Sequence, residues 1–87
     1  MKKYSEEAFT VRQSKVNELR EMYVKSNAAT DKIAYHISRL YSFMPKTKKD
    51  MYIVNLHIDR LLVKEYVVTL KPEYQEKWIK ICESMRG

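Results

Sequence analysis

The sequence predicts an all-α protein: a small helical hairpin or a three- to four-helix bundle with a long N-terminal helix. Three observations predict it. The 87 residues contain one glycine, Gly87, and two prolines, Pro45 and Pro72. Glycine and proline are the strongest local breakers of regular structure, so nothing from Met1 to Met44 ends a helix by backbone chemistry. Apolar residues recur three and four apart along most of the chain, the spacing that places them on one face of a helix. Charged residues make up 32% and hydrophobic ones 45%, a balance that supports a folded core.

Ser5 followed by Glu6 and Glu7 predicts the first helix start, with acids facing the positive end of the dipole. Phe9, Val16, Leu19 and Tyr23 form its apolar stripe. Glu21 and Lys25 stand at i, i+4 in the favourable order. Ile33, Ile37, Leu40 and Met44 form a second stripe. With Phe9 at heptad position a, one seam joins both: Phe9, Arg12, Val16, Leu19, Tyr23, Ser26, Thr30, Ile33, Ile37, Leu40, Met44. A single phase admits one helix ~57 Å long at 1.5 Å per residue. Arg12, Ser26 and Thr30 are polar on that seam, and Ser26 to Asp31 offers several N-cap residues. A corner at residues 26–31 is therefore the equal alternative.

Pro45 ends the second stripe and opens a basic linker through Lys49. Thr47 with Asp50 has the spacing of a capping box. Residues 51–70 read two ways. Tyr52, Val54, Leu56 and Ile58 alternate as a strand would, which gives an α+β alternative with a short hairpin. Met51, Val54, Ile58, Leu61, Leu62 and Val68 fit a buried helix. Helix is the preferred reading, because Asp59–Glu65 contains no turn residue. The β-branched run Tyr66-Val67-Val68-Thr69 predicts fraying. Pro72 suits the first turn of a last helix. Tyr74, Trp78, Ile81 and Met85 give that helix its stripe, and Glu73–Lys77 and Glu76–Lys80 add i, i+4 pairs.

This length implies a single helical domain over 1–87, with a core small enough that a homodimer or higher oligomer is expected. No apolar run approaches the ~20 residues of a membrane span, and the start of the chain lacks the apolar core of a signal peptide. One cysteine, Cys82, predicts a reducing, cytoplasmic setting.

Composition also excludes function classes. Without internal glycine there is no phosphate-cradling loop, and nucleotide-binding and zinc-protease motifs are absent. A nucleophile would have to be Cys82 with His36 or His57 as base. Cys82 sits beside Ile81 on an apolar face, where a cysteine acts as a small hydrophobe. Two histidines 21 residues apart match no metal-ligand spacing. Neither catalysis nor a metal or cofactor is expected.

The net charge is +6, which suits acidic partners. Between Asp31 and Asp50 there is no acid but five cations: Lys32, Arg39, Lys46, Lys48 and Lys49. On a helix, Lys32, Tyr35, His36, Arg39 and Phe43 cluster roughly 120° from the stripe of Ile33, Ile37, Leu40 and Met44. A basic, aromatic face beside a separate apolar one is available to a partner. Seven tyrosines point the same way, since tyrosine favours surfaces with one dry and one wet end. The expected function is non-catalytic: a binding protein acting through a protein–protein interface, as adaptor, inhibitor or small regulator. Its expected partner-binding residues are Lys32, Tyr35, His36, Arg39, Phe43, Lys46, Lys48 and Lys49. The alternative is a small nucleic-acid-binding protein that contacts mainly the phosphate backbone.

Overall fold

A computed structural model describes residues 5–28 and 31–86. Its helices are α1 (Glu6–Lys25), α2 (Asp31–Ser42), α3 (Lys48–Leu61), α4 (Lys64–Val67) and α5 (Pro72–Met85). Four longer helices form the bundle and α4 is a single turn. Among the described residues there is no strand, so the helical reading of 51–70 holds and the hairpin does not form. The reason is visible in α3. Val54, Ile58 and Leu61 are at most 1% exposed, while Tyr52 and Leu56 are 70% and 44% exposed. The alternating residues that suggested a strand are divided between core and solvent at helical angles.

Each helix end uses local chemistry. Ser5 Oγ accepts from the Ala8 N–H and caps α1 at 3.1 Å. Thr47 Oγ1 does the same for the Asp50 N–H in α3. Asp50 Oδ2 reaches back to the Lys46 N–H at 2.9 Å, so the capping pair read from sequence is reciprocal, displaced by one residue from the usual box. Pro72 stands at the start of α5, where its missing N–H costs nothing.

Of the two readings for residues 26–31, the corner is correct and the continuous helix is not. Asn27 has φ 54°, the left-handed conformation usually given to glycine. Its N–H donates to Val24 O, and the Ala28 N–H donates to Tyr23 O. These two bonds are a Schellman motif with asparagine in the glycine place. Ala28 is buried, which seals the corner. Thr30, assigned to the shared seam, lies outside the described residues. The seam also shifts within α1, whose buried residues are Arg12, Val16, Leu19 and Met22, with Tyr23 only half-buried.

Consecutive helices pack as neighbours, α1 on α2 and α2 on α3, and α5 closes the bundle against both α1 and α3. Side-chain donors fasten these pairs at helix-end carbonyls. Gln13 Nε2 donates to Tyr41 O at 3.0 Å, and Trp78 Nε1 donates to Leu61 O at 2.8 Å. Ser26 Oγ accepts the Lys71 N–H, joining the end of α1 to the start of α5. The core is one cluster that includes Leu19, Ile33, Ile58, Leu61, Trp78 and Cys82, all fully buried. Burying such an aliphatic or aromatic side chain stabilises by about 1.5–3 kcal/mol. The exposed Glu76–Lys80 pair at 3.0 Å belongs to a class worth about 0.2–0.5 kcal/mol. Core packing therefore decides the fold. Glu73–Lys77 and Glu21–Lys25, also expected from spacing, do not close.

Candidate functional site

The antiparallel α2–α3 pair brings His36 and His57 together. Their Nδ1 atoms lie 2.9 Å apart and their ring centroids 5.1 Å apart. A contact between two ring nitrogens needs one donor and one acceptor. One histidine is thus the Nδ1–H tautomer and its neighbour the Nε2–H tautomer. Tyr35 sets its ring edgewise against both, with centroids 5.2 Å from His36 and 6.0 Å from His57.

Both histidines are half-buried, and both titrate below the ordinary 6.5. For His36 the causes are desolvation first, then the charges of His57 and Arg60. For His57 they are desolvation first, then Arg39. The guanidinium on each helix thus acts on the histidine of the other. Arg39 also lies over the Phe43 ring, 5.9 Å from its centroid.

The structure joins four of the residues expected from sequence: Tyr35, His36, Arg39 and Phe43. Tyr35 and Arg39 are exposed, His36 is half-buried in the helix pair, and Phe43 is half-buried against the core. Lys32 is exposed one turn before His36. Lys46, Lys48 and Lys49 are exposed on the α2–α3 loop and the first turn of α3. No hydrogen bond or ion pair ties their side chains to the histidine cluster among the described residues.

Sequence reasoning missed the half contributed by α3. At 100° per residue, Lys49, Leu56 and Arg60 share the outward face of that helix, with Tyr52 at its border. A signal for His57 was present: the two histidines stand ten residues before and eleven after Lys46. Residues equidistant from the loop of an antiparallel helix pair meet across it.

Other chemistries are less well served. Cys82 lies in the core with its thiol pushed up to about 12, by burial first and Glu83 second. It is a neutral thiol at physiological pH, and the two histidines engage each other. Among the described residues no three metal-ligating side chains gather. The histidine pair alone supplies two ligands, beside guanidiniums that repel a dication. His57 and Asp59 face different ways, as their spacing implied: His57 meets α2 and Asp59 meets Arg86.

A groove of about 380 Å³ lies between α1 and α2, lined by Arg20, Tyr23, Val24, Ala34, Ser38 and Tyr41 among others. Its α2 residues occupy the flank opposite His36 and Arg39. No helix among the described residues is long and apolar enough to cross a membrane. Comparison with known proteins finds no matching family model, no matching curated protein and no matching solved structure.

Proposed function

We propose that the chain is a non-catalytic binding protein that holds another protein against its α2–α3 face, as an adaptor, inhibitor or small regulator does. One observation carries this reading. The face exposes Tyr35 at 57% and Leu56 at 44% beside Arg39 and Arg60, neither of which has a carboxylate partner among the described residues. Tyrosine and arginine are the residues that dominate protein interfaces. An exposed leucine among them suits an apolar partner surface better than a phosphate chain. Lys48 and Lys49 add to this. They occupy the first turn of α3, where the dipole disfavours cations by about 0.3–1 kcal/mol each. A local cost of that kind fits residues kept for binding.

The test is capture of a protein from a nuclease-treated lysate of the native host, with Tyr35→Ala/Arg39→Ala/Leu56→Ala as control. Phe43 is left intact because it packs against the core. The triple variant should retain its helicity by circular dichroism and lose at least about tenfold in affinity. Equal capture by both proteins overturns the proposal.

A second reading rests on the acid-free run from Lys32 to Lys49. Five cations engaging duplex DNA give a slope of about −4 to −5 in log affinity against log salt. Capture that disappears on nuclease treatment favours this reading. A homodimer or higher oligomer belongs to the same proposal, as the way so small a chain gains buried surface.

A further inference from the structure

We propose that the outward stripe of α1 in one copy of this chain docks antiparallel on the outward stripe of α3 in a second copy. The two stripes have one spacing. On α1 the exposed residues Glu7, Val11, Ser14 and Glu18 stand four, three and four apart. On α3 Lys49, Ile53, Leu56 and Arg60 repeat that spacing, with Ile53 half-buried and the other three exposed. Each set lies on one helix face and spans about 16 Å at 1.5 Å per residue. Both stripes are apolar or small in the middle and charged at the ends, and the end charges are of opposite sign.

Set antiparallel, the stripes match residue by residue. Glu7 meets Arg60, Val11 meets Leu56, Ser14 meets Ile53 and Glu18 meets Lys49. In the same register Glu21 comes opposite Lys46. Val11 and Leu56 are large apolar side chains left in solvent, and each is covered by the other. Antiparallel order also sets the two helix dipoles in opposition. Parallel order would place Leu56 on a serine. Among the described residues none of these six charges has an ion-pair partner: the pairs there are Glu76–Lys80 and Asp59–Arg86. Lys15 and Arg20 lie well off the α1 stripe, and Lys25 falls past the start of α3 in this register.

Other pairings of these stripes fail on charge. α1 against α1 sets Glu7 on Glu18, and α3 against α3 sets Lys49 on Arg60, so like charges oppose. The outward stripe of α5 is Glu73, Lys77, Lys80 and Ser84, which would lay lysines on Leu56 and Ile53. Within this chain α1 is the helix that fits α3. Both α1 and α3 pack on α2 and on α5. They are diagonal in the bundle, and their stripes face away from each other. A copy cannot close the contact on itself, so the contact runs head to tail. One helix pair is smaller than the ~1,200 Å² of a stable interface. Association is therefore weak and salt-sensitive.

This contact deepens the protein-interface reading, because it names a second copy as what covers the α3 half of that face, and it rests on that reading only in taking the face to bind protein. Light scattering over about 0.05 to 1 mM chain tests it. At about 25 mM salt the average mass should rise with concentration above 10.5 kDa, and at about 500 mM salt it should fall back toward that value. Glu7→Lys/Glu18→Lys makes both stripes basic, and Lys49→Glu/Arg60→Glu makes both acidic. Each variant should keep its helicity and self-associate at least about tenfold more weakly. An equimolar mixture should recover association, because the basic stripes of one variant meet the acidic stripes of the other. Val11→Ser, which lies outside the α2–α3 face and leaves every charge in place, should weaken wild-type association about fivefold.

The chain mass at every concentration in low salt overturns the second copy as occupant and leaves the Tyr35–Leu56 face to a foreign protein. Undiminished association in either charge variant, a mixture that stays at the chain mass, or full association of Val11→Ser overturns the register. Recovery in the mixture with no foreign protein captured from lysate supports the contact while refuting the adaptor reading.

Discussion

Among the described residues Arg12 is the one charged side chain in the core, 7% exposed. Its Nη1 is buried with no hydrogen-bond partner among the described residues. Its Nη2 has only the weak acceptor Met51 Sδ at 3.8 Å. Burial lowers its pKa below the ordinary guanidinium range, the sign of a cation held where it is disfavoured. Replacing a buried, poorly compensated charge by an apolar side chain of similar length is neutral to stabilising by about 1–4 kcal/mol. Arg12→Met should therefore raise the urea midpoint, and a lower midpoint would count against this account. The histidine pair makes the opposite kind of contribution. Both imidazoles titrate below 6.5 in the folded chain. The unfolded chain thus takes protons first as the pH falls. Their contribution is complete above 6.5 and is lost as pH drops through the lower folded-state values. Urea midpoints should fall between pH 7.5 and 5.5, and fall less in His36→Gln/His57→Gln. Identical pH profiles for the two proteins would refute the linkage.

At the scale of elements, the α1–α2 corner rests on Asn27 at φ 54°. A side chain with a Cβ and no local hydrogen bonding pays for that conformation, so Asn27→Ala should cost about 1 kcal/mol in chemical denaturation. Asn27→Gly should be neutral or slightly stabilising; destabilisation of that variant by 1 kcal/mol or more would remove the Schellman explanation. The same residue explains what was legible here. Ser5, Thr47 and Pro72 mark helix starts by chemistry confined to three or four residues, and all three marks hold. Asn27 suits a helix start and a helix end alike, so composition left the corner open. The heptad phase in α1 went astray at Tyr23 for another reason. Tyr23 has a polar hydroxyl and stays half-buried along the groove between α1 and α2, while the wholly apolar Met22 is buried in its place. The run Tyr66-Val67-Val68-Thr69 was expected to fray; Tyr66 and Val67 close the single turn of α4, and Val68 and Thr69 form a turn after it.

For the whole molecule, the radius of gyration is 12.4 Å, near the ~12 Å expected of a compact chain this long. The half of the candidate site on α2 was legible because one helical wheel contains it. The half on α3 depends on how two helices register across Pro45, which no single wheel shows. Self-association belongs to this scale too. Light scattering should give about twice the 10.5 kDa chain mass if the small core is completed by a second copy; the chain mass alone would exclude it. The bond from Trp78 to Leu61 has one more consequence. Trp78 is the sole tryptophan, wholly buried and hydrogen-bonded where α5 meets the end of α3. Its fluorescence is therefore a native reporter of that junction alone, silent to events at the histidine pair. Emission and helicity lost at one denaturant concentration would mark a single cooperative unit, whereas an earlier change in emission would show the last helix leaving first.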